Sequence, residues 1–376
     1  MWGPRTVDEQ DVGAIGGVTM GAGRARRFHS PRIGIAVALT AVLLAALQPG
    51  IAGQARVKVS MLVFAGANQE VVPREAAARY MRENPHVEIE ITETTNVLMY
   101  PKMMAARQAN PNRPLINFGV FNVDFSNRGD VDDIWATVTP DRIPNMRLVH
   151  PSLRRSDNRG IGHSISALGL IYNKNLVRTP PDSWKALWDP QWRGKVGMFD
   201  NNFIPLVLAA RLNGGTEENI DPGFRIWAEN AKNLRALVTT NDQLKNLIVT
   251  GEALFGPFFA TIFKFWELEG APLAFVPPKE GVVAFPIYLQ IVKGSSPEQI
   301  AVAEAVINDL LSPESNARYA RLTFRVPGVE GASMPAQEQI MTPRLLQTAI
   351  WLDWRRMGEK ASEWRQRWER EVKSRM

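Results

Sequence analysis

The stretch from Val57 to Thr92 admits few architectures. Val57-Lys58-Val59-Ser60-Met61-Leu62-Val63-Phe64 begins by alternating and ends fully apolar, as a strand does when it enters a parallel sheet covered on both faces. Ala65-Gly66-Ala67-Asn68 then forms a loop. Pro73 suits a first helical turn, with Val72, Ala76 and Tyr80 on one face, and Asn84-Pro85 stops that helix. His86–Thr92 alternates strictly and reads as a second strand. Strand, helix and strand at this spacing make a βαβ unit, which places the chain in the α/β class.

The pattern continues downstream. Ile204–Leu212 is an apolar helical run closed by Gly214-Gly215. Asn241 or Asp242 is expected to cap a helix carrying Leu244, Leu247 and Ile248, ended by Gly251. Ala253–Phe259 and Gly281–Val292 read as strands. Ser296-Pro297-Glu298-Gln299 is a capping box before Ile300, Ala303, Val306, Ile307 and Leu310, and Ser312-Pro313-Glu314 starts another helix. Pro343–Met376 is expected to be one amphipathic helix whose Trp351, Trp354, Trp364 and Trp368 pack it onto the body.

Residues 33–47 are an uncharged apolar run of 15, shorter than the about 20 needed to span a bilayer. Arg24, Arg26, Arg27 and Arg32 precede it, and Pro49, Gly50 and small residues up to Gly53-Gln54-Ala55 follow. Residues 1–55 are therefore expected to be a leader containing a secretory signal peptide, cut after Ala55, or after Ala52 as second choice. Asp8, Glu9 and Asp11 fit such a peptide poorly, so Met20 is a candidate start. Arg26-Arg27 is a weak twin-arginine candidate. The expected mature product is an exported, soluble, periplasmic protein.

The leader holds five of the 44 basic and three of the 38 acidic residues, so the remaining 321 residues carry +4 rather than the +6 of the full chain. That mild balance points to no nucleic-acid partner. The absence of cysteine excludes disulfides, a catalytic thiol and a lipidated cysteine anchor.

Several catalytic patterns come close and miss. Gly162-His163-Ser164-Ile165-Ser166 has Ser where a nucleophile elbow needs its last Gly, and no helical run follows. Gly194-Lys195-Val196 lacks the Ser/Thr and the first Gly of a phosphate-binding loop. Gly160-Ile161-Gly162 has no third glycine, and His86, His150 and His163 lie far apart in sequence. We expect no enzyme activity, no cofactor and no metal. The alternatives are an exported hydrolase using Ser164 or a carboxylate pair, and a noncatalytic sensor.

Ser166-Ala167-Leu168-Gly169-Leu170-Ile171-Tyr172-Asn173, then Pro180-Pro181-Asp182-Ser183-Trp184-Lys185-Ala186-Leu187-Trp188-Asp189-Pro190, then Trp192-Arg193-Gly194-Lys195-Val196-Gly197-Met198 form one block. Asp182 or Ser183 caps a short helix, Trp184, Leu187 and Trp188 bury its face, and Gly194-Lys195-Val196 starts a strand. The block resembles one in bacterial extracellular solute-binding proteins of ABC importers, in the spermidine/putrescine and iron(III) branch. Thr95–Met103, Thr250-Gly251-Glu252-Ala253, Lys279–Leu311, Leu352-Asp353-Trp354 and Arg365-Gln366-Arg367-Trp368 are similar to further segments of that family.

The resemblance implies a type 2 periplasmic-binding-protein fold: two α/β lobes, hinge strands between them and a ligand cleft. The implied lobes are 56–165 with 288–325, and 166–287 with 326–376. It implies a monomer that captures a small organic solute and docks on permease subunits of the inner membrane. The cleft clusters it implies are Phe64 with Ala65-Gly66-Ala67-Asn68; Asn96 and Tyr100; Asp200-Asn201-Asn202; and Phe258-Phe259 with Phe285 and Tyr288. Polyamine receptors of the family clamp ammonium groups with several carboxylates. Here one acid remains at Asp200, and Ile287 stands where another is expected, which argues against spermidine or putrescine. Tyrosines at 80, 100, 172, 288 and 319 offer no adjacent pair of the iron(III) type. A neutral, monocationic or weakly anionic organic solute remains.

Overall fold

The computed structural model describes residues 56–200, 203–334 and 347–376. The leader, Asn201 and Asn202 lie outside the described residues. β1 (Val57–Val63) and β2 (Val87–Glu93) pair in parallel, with α1 (Val71–Glu83) as their crossover. α2 (Asn96–Ala109) begins where the Thr95 side chain accepts the Leu98 N–H. β3 (Phe118–Asn122) lies parallel to β1, and Asn122 caps α3 (Val123–Val131) with no intervening loop. β4 (Ile161–Asn173) is buried along almost its whole length.

A short 3-10 turn, Trp184–Trp188, is capped by Ser183 and leads to β5 (Val196–Phe199) and α4 (Ile204–Arg211). α5 (Asp221–Glu229) and β6 (Leu234–Val238) follow. α6 (Asn241–Val249) is capped by Thr240 rather than by Asn241 or Asp242, because Thr240 and Gln243 close a reciprocal capping box one residue earlier. β7 (Phe255–Phe259) runs directly into α7 (Ala260–Leu268), and β8 (Leu273–Val276) and β9 (Val283–Ile291) come next. α8 (Pro297–Leu310) carries the expected Ser296–Gln299 capping box, and α9 (Pro313–Thr323) starts at Ser312. β10 (Val326–Pro327) is two residues long, and α10 (Trp354–Glu371) is the last long helix.

The expected terminal helix is shorter than its pattern. Ile350 donates its N–H to Val282 O and accepts from Ala284 N–H, so this segment is held at the sheet edge and the helix starts only at Trp354. Trp364 and Trp368 are buried against Phe203 and Trp227, whereas Trp351 is 36% exposed.

Strand order is β2-β1-β3-β9-β4-β7-β5-β6, with β8 and β10 also paired to β4. β1, β2 and β3 are mutually parallel, and β5 is parallel to β6 and β7. β9 is antiparallel to both β3 and β4, and β7 is antiparallel to β4. The two parallel sets therefore run in opposite directions along one sheet and point their carboxyl ends at each other.

Register fixes where they meet. Asn122, ending β3, pairs with Ile287, which pairs with Ser164 of β4. Phe259, ending β7, pairs with Leu168 of β4. Four residue steps along β4, from Ser164 to Leu168 and roughly 13 Å of strand, separate the two carboxyl edges. On the far edge of β9, pairing to β3 stops at Ile287 and the Ile350 bridge lies at Val283, leaving Phe285 and Pro286 without a strand partner there. The Ala284 N–H points to that edge, so the position two residues on faces it too, and the N–H that Pro286 lacks would have had no acceptor.

Gly256 and Gly197 let β7 and β5 approach closely: a Cβ on Gly256 would sit 1.9 Å from Gly197 O. Gly256→Ala is expected to destabilise the protein by about 3 kcal/mol, the upper part of the usual overpacking range, because the obstacle is backbone. Urea unfolding checks this. An unchanged midpoint would show that the strands can separate without cost.

Candidate functional site

Ligands of open α/β sheets bind beyond the carboxyl ends of strands. Here both sets of ends converge on the gap spanned by Ile165–Ala167 and Phe285–Pro286. The groups at that gap define the candidate site.

After β1, Gly66, Ala67 and Asn68 have φ of +76°, +53° and +57°. Two non-glycine residues in the left-handed region form a strained turn that presents backbone to the gap. Phe64 is half-buried behind this turn, and the exposed Asn68 donates its amide to Leu322 O at 3.3 Å. Asn96 is buried and bridges the end of β3, donating to Val120 O at 3.2 Å and accepting the Asn122 N–H at 2.9 Å. Tyr100 is buried in a side cluster with Met99, Phe121 and Trp135, and its hydroxyl donates to Asp132 at 2.6 Å. Asn96 and Tyr100 thus have their polar groups committed to the first strand set.

Across the gap, Asp200 lies level with Phe259, and its Oδ2 accepts from Lys373 Nζ at 2.8 Å. The one acid that the sequence offers for an amine is thus already paired with a lysine. Phe258 stacks on Trp266 at 4.4 Å within the core of the second set. Phe259 packs edge-on to Phe285 at 4.9 Å, and Phe285 packs perpendicular to Trp354 at 5.2 Å. This aromatic row lies at the base of the gap. Tyr288 sits further along β9 under the Arg155 guanidinium, 5.5 Å from its ring centre, and burial pushes its hydroxyl pKa up. The structure brings Phe259 and Phe285 to the gap and Asp200 to its rim, with Phe64 and Asn68 in the segment that follows β1.

Two acids and bases escaped the sequence reading. Asp124 is in the first turn of α3, just past the carboxyl end of β3. Its side chain reaches solvent, yet the surrounding protein desolvates it enough to push its pKa up to about 7. Arg325 precedes β10, and continuing the Val326–Ile165 register places it opposite Ser166, in the gap itself. Neither has a local signature: one follows an unremarked five-residue strand, the other a helix end at which Phe324 takes φ +55°.

Ser164, the alternative nucleophile, is fully buried mid-strand in β4, and no helix follows it. Its Oγ makes no hydrogen bond. His163 is 1% exposed with both ring nitrogens unpartnered, and desolvation followed by the Arg325 charge pulls its pKa down to about 3. A separate groove of about 490 Å³, lined by Arg178, Asp182, Lys185, Trp192 and Lys279, lies at the amino end of β7, away from the gap.

Residues 117–360 match the family described as bacterial extracellular solute-binding protein. The chain belongs to that family. No curated protein matches it in sequence. Solved structures share the fold: an ABC transporter from Clostridium perfringens superposes with a TM-score of 0.70 at 18% identity, covering 84% of this chain and 100% of that one. A spermidine/putrescine ABC transporter substrate-binding protein from Streptococcus pneumoniae gives 0.65 at 17%, covering 82% and 98%. The periplasmic binding protein AfuA from Actinobacillus pleuropneumoniae, solved with fructose 6-phosphate, gives 0.66 at 17%, covering 85% and 98%. As a bacterial extracellular solute-binding protein, the chain shares the two-lobed fold of these structures. Among the described residues no helix is long and apolar enough to cross a membrane.

The raised Asp124 pKa has a sign that can be measured. The folded state favours the protonated acid, so its contribution to stability is full near pH 4 and is lost as pH rises through about 7. Asp124→Asn is expected to melt with the wild type at pH 4 and above it at pH 8, as read by circular dichroism. Parallel melting curves across that range would show an ordinary surface acid.

Proposed function

We propose that this chain is the periplasmic receptor of an ABC importer and that its solute binds in the gap between the two strand sets. The supporting observation is the register: β4 and β9 are the two long strands shared by both sets, and the carboxyl ends of β3 and β7 oppose each other across four residues of β4. Of the lobe boundaries expected from the sequence, 165/166 falls inside this gap and 287/288 just beyond it, where β9 already pairs with β3. The first lobe is 56–165 with 288–325, and the second is 166–287 with 326–376.

The Gly66–Asn68 turn and Asp124 line one side, Phe259 and Asp200 the other, and Phe285 the base. A solute touching both sides stabilises a closed form, a hinge motion about β4 and β9. The closed form, a monomer, is what the permease subunits of the inner membrane receive. Ligand capture needs no bond making, which agrees with the absence of an exposed nucleophile at Ser164.

A specific solute raises the melting temperature by mass action, contributing about 2.7 kcal/mol at a hundredfold excess over Kd. Screening amines, amino acids, opine-like compounds, phosphonates, sugar phosphates and iron chelates by thermal shift is expected to find such a ligand and to return it chemically unchanged. If no class shifts the melting temperature, or if a ligand is hydrolysed and Ser164→Ala abolishes that turnover, the receptor reading fails.

A further inference from the structure

Seven buried polar atoms without hydrogen bonds gather at one place: Glu70 Oε2, both nitrogens of His163, Ser164 Oγ, Tyr319 Oη, and Nε and Nη1 of Arg325. Chain connectivity and contacts hold the group together. His163 and Ser164 are adjacent in β4, the His163 ring packs edge-on to Tyr319 at 4.5 Å, and β10 places Arg325 beside Ser166. Arg325 reaches toward the first strand set, where Nη2 donates to Gln69 Oε1 at 2.7 Å, just ahead of α1.

Arg325 is 7% exposed, and none of the ion pairs among the described residues includes it. A guanidinium has five N–H donors and cannot shed its charge. The Gln69 bond uses one donor and the Tyr319 hydroxyl lies against the guanidinium, so Nε and Nη1 are left without an anionic acceptor. His163 beside it stays neutral and adds no compensating charge, while burial and the cation next to it act on Tyr319 in opposite senses. Glu70 holds an unpartnered carboxylate oxygen nearby, yet it makes no ion pair with Arg325. A buried cation with open donors is costly unless an anion completes it.

Its position says where that anion comes from. Arg325 lies in the gap, at the end of the strained Gly66–Asn68 turn and the amino terminus of α1, whose N-cap is Glu70 and whose first turn carries no acidic residue. Helix dipole and guanidinium both favour negative charge there. On the opposite side, the Asp200 carboxylate is held by Lys373, which also bridges to Glu369.

We propose that Arg325 is the anchor for an oxyanion, a carboxylate or phosphate carried by the transported solute, with the Tyr319 hydroxyl as a second donor. This rests on the receptor reading and adds to it the charge class of the ligand. Planar forks of this kind bind carboxylate and phosphate with two parallel hydrogen bonds.

The test uses the leader-free chain and matched pairs of probes: fructose 6-phosphate against fructose, 4-aminobutyrate against butylamine, and inorganic phosphate alone. In thermal shift and titration calorimetry, the anionic member of at least one pair is expected to bind, its uncharged or cationic partner not to bind, and the responding pair separates phosphate from carboxylate. Arg325→Gln is expected to weaken that binding by about 100-fold, and Arg325→Lys, which keeps charge without the fork, by less. If Arg325→Gln does not fold, the wild-type pairs still decide. Equal binding of partners lacking the anion, or a folded Arg325→Gln with unchanged affinity, overturns the anchor while leaving the receptor intact, the guanidinium then being held by buried water. If neither these probes nor any compound of the wider screen binds, both the anchor and the receptor reading fail.

Discussion

The site depends on two strands that are each long enough to serve both halves of the sheet. β4 and β9 pair with each other from Ile161 to Leu168, and each then takes different partners at its two ends. Because β3 and β7 end four residues apart along β4, the backbone between them is flanked only by the two-residue β10 on β4 and by no strand at Phe285 and Pro286 on the outer edge of β9. An open edge inside a sheet is normally a liability. Here the exposed stretch is short, one edge residue is Pro286, and Phe285 is covered by Phe259 and Trp354.

Electrostatics then divide that gap. On the second side Asp200 is tied to Lys373, which Glu369 shares. The first side holds Asp124, unpaired and crowded by protein, and at the gap lies Arg325, buried with donors to spare. Two uncompensated groups, one of each sign, are unfavourable for folding alone, and such groups concentrate where a ligand completes them. A solute with one anionic end satisfies the costlier of the two.

Features set by near neighbours were legible in the sequence. The βαβ unit, the Ser296–Gln299 box and the Ser183 cap each depend on residues within one or two turns, and they form where their patterns place them. The terminal helix shows the limit: its periodicity extends to Trp351, but sheet-edge hydrogen bonds at Ile350 override it. Family positions located the strand ends correctly. They did not say which way a side chain there turns, and Asn96, Tyr100 and Phe258 spend their groups on backbone, Asp132 and Trp266. Asp124 and Arg325 were invisible because their meaning comes from pairing between residues more than a hundred positions apart, as when β10 meets β4.

The central claim is that solute binding draws the two strand sets together about β4 and β9. The chain has no cysteine, so Val97→Cys and Leu268→Cys, both at exposed helical positions on opposite sets, place two spin labels without interference. The interlabel distance measured by pulsed electron resonance is expected to shorten and its distribution to narrow when a ligand found by thermal shift is added. A distance unchanged by a saturating, stabilising ligand would contradict the account.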